Sequence, residues 1–113
     1  MALLGLLSIG VATARRSIAS GNARVVEVTA QRFRFTPNEI VLRSGEPVVL
    51  AITSLDFVHG FKVPQLGIRT DLLPGRVTRV DIKALTPGRY DFLCDNFCGG
   101  GHEDMNGTIV VSD

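Results

Sequence analysis

Turn signals built on proline and glycine punctuate the chain from Arg24 onward: Thr36-Pro37-Asn38, Ser44-Gly45-Glu46-Pro47, Leu73-Pro74-Gly75 and Thr86-Pro87-Gly88. Between them lie runs rich in β-branched and aromatic residues, the composition of strands rather than helices. Val25-Val26-Glu27-Val28-Thr29-Ala30 reads as a first strand, with Phe33 and Phe35 alternating just beyond it. Ile40-Val41-Leu42 follows as an edge-like strand. Val48 to Thr53 is apolar almost throughout, which predicts a strand buried on both faces. Phe57 to Val63, Val77 to Ile82, Tyr90 to Leu93 and Thr108 to Val111 complete the series. About eight short strands at near-regular spacing, with no convincing helix, predict an all-β Greek-key sandwich or barrel.

The first residues are of another kind. Ala2 to Ala14 is an almost unbroken apolar run, shorter than the roughly 20 residues needed to span a bilayer. It suits a signal-peptide core with Ala12 and Ala14 near a cleavage site, although Arg15-Arg16 follows the run and no basic residue precedes it. The tail of a longer membrane helix is the other reading. Ser17 to Arg24 reads as a linker, so the expected division is a leader and linker over 1–23 and one domain over 24–113. With a formal net charge of +1 there is no strong field, and a nucleic-acid partner is not expected.

Chemistry is concentrated in one stretch. Cys94-Asp95-Asn96-Phe97-Cys98-Gly99-Gly100-Gly101-His102-Glu103-Asp104-Met105 holds both cysteines, one of the two histidines and one of the two methionines. The other histidine, His59, lies 35 positions before Cys94. Thiolate, imidazole and thioether together form the soft donor set that selects copper over hard cations. His59, Cys98, His102 and Met105 are the donors of a mononuclear blue-copper site. Cys94 adds a second thiolate, so two sulfurs can bridge two metals, each metal carrying one imidazole. Weak axial positions then fall to Met105 and to a carbonyl between the cysteines. The same residues taken singly have other readings: a disulfide between Cys94 and Cys98, a zinc site of two cysteines and two histidines, or a core histidine and a gap-filling methionine. The three glycines let the loop fold tightly under His102. Asp91, Asp95, Glu103 and Asp104 surround it, either as an acidic docking rim for a basic partner or as ordinary solvated loop residues. No nucleophile–base constellation is visible, so no complete catalytic centre is expected in this chain.

The pattern Cys-x3-Cys-x3-His-x2-Met after an upstream Asp56-x2-His59 resembles the CuA domain of cytochrome c oxidase subunit II. The likeness extends through Ile52 to Phe61, Leu73-Pro74-Gly75, Pro87-Gly88-Arg89-Tyr90 and Asn106 to Val111, and the compact form is most similar to subunit II of B-type haem–copper oxidases. It implies a cupredoxin fold and a binuclear copper centre held by His59, Cys94, Cys98, His102, Met105 and the backbone carbonyl of Asn96. Many subunits II carry a glutamate where Asn96 stands, so no second metal site is expected. The implied role is electron entry from a cytochrome c or small cupredoxin to the catalytic subunit of a haem–copper oxidase. The implied setting is periplasmic or extracytoplasmic, close to a membrane. A stand-alone exported copper carrier, storage protein or sensor is the alternative.

Overall fold

The computed structural model describes residues 23–96 and 104–113, which fold into two stacked sheets. Nine strands occur among the described residues: β1 (Arg24–Gln31), β2 (Arg34–Thr36), β3 (Glu39–Arg43), β4 (Val48–Ser54), β5 (His59–Val63), β6 (Ile68–Leu72), β7 (Val77–Ile82), β8 (Gly88–Leu93) and β9 (Asn106–Ser112). The smaller sheet runs β2-β1-β4-β7 and the larger β3-β9-β8-β5-β6. Two pairings, β1 with β4 and β3 with β9, are parallel; the others are antiparallel. A single 3-10 turn, Pro64–Leu66, links β5 to β6. No helix among the described residues is long and apolar enough to cross a membrane. The expected leader, residues 1–22 of it, lies outside the described residues.

The all-β expectation holds, with two differences of detail. β6 was not expected as a strand, because Arg69 and Asp71 interrupt its apolar residues. In the structure those charges face outward while Leu72 is buried, a period-two pattern suited to a sheet edge. β4 is not buried evenly on both faces. Val48, Leu50, Ile52 and Ser54 are buried, whereas Val49, Ala51 and Thr53 are only half-buried. One face meets the opposing sheet and the other is turned outward, the arrangement of a two-layer sandwich.

The core lies between the sheets. Phe35 from β2 meets two rings of the larger sheet edge-on: Phe61 at 5.9 Å and Phe92 at 5.2 Å between centroids. These spacings fall in the favoured range for aromatic pairs. Val28, Leu50, Ile52, Ile82 and Ile109 fill the space around them.

Connections gather at one end. The segment joining β4 to β5, the turn joining β6 to β7 and the segment joining β8 to β9 all emerge there. Leu73-Pro74-Gly75-Arg76 closes as a turn, with the Arg76 amide donating to the Leu73 carbonyl at 3.3 Å. Gly75 has φ +77°, the positive value that the third position of a type II turn requires and that glycine adopts without strain. A bridge between Ser54 and Pro74 ties this turn to the end of β4.

Candidate metal centre

His59 opens β5, paired with Leu72 of β6 at the connection-rich end of the sandwich. Its side chain is 0% exposed, an unusual place for an imidazole without polar partners. Partners are present on both nitrogens. Nε2 lies 2.8 Å from Asp56 Oδ1, and Nδ1 lies 3.9 Å from the Cys94 sulfur. An ionised carboxylate only accepts, so Nε2 carries a proton, and in the neutral ring Nδ1 then presents its lone pair toward Cys94. A carboxylate on the far nitrogen is the usual device for orienting a metal-binding imidazole.

Asp56 is itself held. Burial pushes its carboxyl up, but the Arg32 backbone amide, at 2.9 Å from Oδ2, and the His59 hydrogen bond outweigh this and keep it below the ordinary aspartate value. The Ser54 hydroxyl donates to the Phe57 carbonyl, which tightens the same turn. Phe57 stands edge-on to the His59 ring at 6.3 Å, with the Arg32 guanidinium 4.4 Å from the Phe57 centroid.

Cys94 follows β8 directly and is 3% exposed. It carries a free thiol. Its sulfur accepts the Gly60 amide at 3.3 Å and donates to the Asn96 carbonyl at 3.3 Å. The Cys94 amide donates to the Met105 carbonyl at 3.0 Å, closing the base of the segment between β8 and β9. Met105 is 0% exposed and packs in the core, next to the strand it introduces.

Four of the six expected donor residues are thus brought to one end of the sandwich: His59, Cys94, Asn96 and Met105. The other two, Cys98 and His102, lie outside the described residues, as do Gly99 to Gly101 and Glu103. The four fit a soft metal. An imidazole nitrogen and a thiolate bind first-row ions at about 2.0 and 2.3 Å, so one ion can touch both only if they lie within about 4.3 Å. The observed 3.9 Å meets that condition.

Two features were not anticipated from sequence. Asp95, expected either in an acidic rim or as an ordinary solvated loop residue, takes two hydrogen bonds on its carboxylate from Arg69, each 2.9 Å. The guanidinium holds the Asp95 carboxyl below the usual range, and Asp95 in turn raises Arg69. Asp91 likewise accepts from the Thr108 hydroxyl at 3.0 Å. Gly60 is the second feature: a Cβ there would collide with the Asp95 carboxylate. Neither Arg69 nor Gly60 carries a spacing signal that sequence reading could have used, because both act across strands.

The cupredoxin-like domain family matches residues 1–111. Cytochrome c oxidase subunit 2 of Thermus thermophilus is 41% identical over 92 residues, 81% of this chain and 68% of that protein. A second Thermus thermophilus protein of the same name matches at 41%, with only 55% of its length spanned. Among solved structures, a chain of a heme-copper terminal oxidase dimer superposes with a TM-score of 0.71 at 32% identity, covering 80% of this chain and 66% of that one. The periplasmic domain of cytochrome oxidase subunit II from Bradyrhizobium japonicum has the same fold, with a TM-score of 0.71 at 22% identity over 78% of this chain and 83% of its own. The chain therefore spans between about half and two-thirds of the oxidase relatives it matches in sequence.

Proposed function

Since this chain belongs to the cupredoxin-like domain family, and within it to the relatives of cytochrome c oxidase subunit 2, we propose that it is a binuclear copper electron-transfer domain. Its donor is a cytochrome c or a small cupredoxin, and its acceptor is the catalytic subunit of a haem–copper oxidase. The setting that fits such partners is the periplasmic or extracytoplasmic face of a membrane. One observation carries the reading: a fully buried imidazole turns its free nitrogen toward a buried free thiol, at a separation that one metal ion spans.

The proposed ligands are His59, Cys94, the Asn96 carbonyl, Cys98, His102 and Met105. The copper pair, when bound, supplies the one-electron chemistry. The chain's own contribution is positional. Asp56 holds the His59 ring in the tautomer that offers Nδ1. Gly60 donates to the Cys94 sulfur, the kind of contact that stabilises negative charge on a thiolate. Burial of His59, Cys94 and Met105 keeps water away and holds the donors in the same places whichever way the electron moves. Such a cage lowers the structural cost of each transfer.

Copper counting combined with electron paramagnetic resonance on the purified chain tests the proposal. Two coppers per chain sharing one unpaired electron give a crowded hyperfine pattern. One copper with the simple quartet of a single nucleus would reduce the protein to a mononuclear cupredoxin. No bound copper at all would remove the metal reading.

A further inference from the structure

Asp95 stands between two of the proposed donors, Cys94 and Asn96, and its side chain fastens that segment to the outside of the larger sheet. Cys94 turns inward to His59, while Asp95 is drawn to the opposite, outer face. There its carboxylate covers Gly60, the residue whose amide meets the Cys94 sulfur. Absence of a side chain at Gly60 is what makes room: an added Cβ would strike Asp95 Oδ1 and stand 3.1 Å from Arg69 Nη2.

The fastening comes from the neighbouring strand. Arg69 on β6 donates Nε to Asp95 Oδ2 and Nη2 to Oδ1, both at 2.9 Å, while Nη1 donates to Asp71 at 2.6 Å. Register accounts for the alignment: Asp71 lies opposite Gly60 and Arg69 opposite Lys62, so these side chains share the outer face. A two-pronged guanidinium–carboxylate bond fixes orientation as well as distance, which a lysine cannot do. The pair is partly exposed, and exposed ion pairs add little to global stability. Its effect is therefore local, on the segment that carries Cys94 and Asn96.

We propose that Arg69 is a positioning residue for the metal centre. Through Asp95 it fixes the Cys94 sulfur and the Asn96 carbonyl relative to His59, and so governs how tightly the metal is kept and how its unpaired electron is distributed. The proposal rests on the copper reading given above.

The test compares Arg69→Gln, Arg69→Lys, Asp95→Asn and the Arg69→Gln/Asp95→Asn double variant, with Arg79→Gln on the other sheet as control. In the metal-free proteins the melting temperature stays near that of the unaltered chain, while the Cys94 amide exchanges with solvent faster. After copper loading, release to a competing chelator quickens about tenfold in Arg69→Gln and Asp95→Asn, the lower end of what losing an outer-shell partner does to metal sites. The double variant is no worse than either single one, because both remove the same link. Arg69→Lys behaves like Arg69→Gln, and hyperfine couplings shift in all four. Full rescue by Arg69→Lys would mean that charge and not geometry matters, and would overturn the proposal. So would release rates and spectra equal to those of the unaltered protein. Failure of the unaltered chain to take up copper overturns the metal reading instead, a result distinguishable from every variant comparison.

Discussion

His59 Nε2 and Asp56 Oδ1 are 2.8 Å apart, across a turn of three residues at the mouth of β5. That contact decides which nitrogen of the imidazole is available to a metal. Asp56→Asn keeps the shape of the side chain but no longer supplies the negative charge that orients the ring. Copper affinity is expected to fall about 10- to 100-fold, with little change in the fold. Chelator competition measures the affinity, and nitrogen chemical shifts of His59 report the tautomer. An unchanged affinity would show that the turn, not the carboxylate, orients the ring.

Cys94→Ser replaces the soft donor by a hydroxyl of similar size that still accepts the Gly60 amide. The domain should fold, and the copper count should fall from two to one with a matching simplification of the hyperfine pattern. A spectrum identical to that of the unaltered protein would refute a bridging role for this sulfur.

Phe35 is the one ring of the smaller sheet that meets both Phe61 and Phe92. Phe35→Ala leaves a cavity between the layers and is expected to cost about 3–5 kcal/mol in unfolding free energy. Denaturant titration with and without copper measures it. A loss well under 1 kcal/mol would mean that the aromatic cluster is not the centre of the core.

Gly107 lies where β9 passes close to Phe92 of β8 and to the backbone at Asn38. A Cβ there would strike the Phe92 ring and come within 2.5 Å of the Asn38 carbonyl oxygen. Because one of these neighbours is backbone, little can give way. Gly107→Ala is expected to destabilise the fold by about 1–3 kcal/mol, the usual range for overpacking, and to lower the melting temperature. A neutral substitution would place β9 farther from β3 than the structure has it.

Glu46 accepts from Arg24 and from the Arg43 amide, and these bonds lower its carboxyl below the ordinary glutamate value of 4.5. The folded state therefore favours the ionised form more than the unfolded chain does. Its stabilising effect is fully present above 4.5 and fades as pH falls through the folded value. Melting curves of Glu46→Gln should lie below those of the unaltered chain at neutral pH and converge with them in acid. A gap that persists into acid would contradict the linkage.

Much of this was legible from the chain itself. Period-two runs and Pro-Gly turns specify a sandwich, and Ile40-Val41-Leu42, expected as an edge-like strand, lies at the edge of the larger sheet. The meeting of His59, Cys94 and Met105 at one end follows the expectation drawn from soft donors clustered in a β-rich chain. β6 was not readable, since its charges mask the alternation until a neighbouring strand supplies the register. Arg69 was not readable either. Its meaning depends on Asp95 crossing to the outer face 26 residues later, and no local pattern encodes that meeting. Acidic residues near the motif looked alike in sequence, yet Asp91 and Asp95 turn out to be bonded within the molecule.

β9 is inserted between β3 and β8, and its partner β3 lies far back in the chain, Glu39 opposite Thr108. Contacts of such long range are slow to form, because the entropy of closing the intervening chain has to be met first. Met105 acquires its place only when that strand docks, because the residue sits at its threshold. Assembly of the cage is thus tied to the docking of β9, and an ion arriving before then would find only scattered ligands on an unfinished chain.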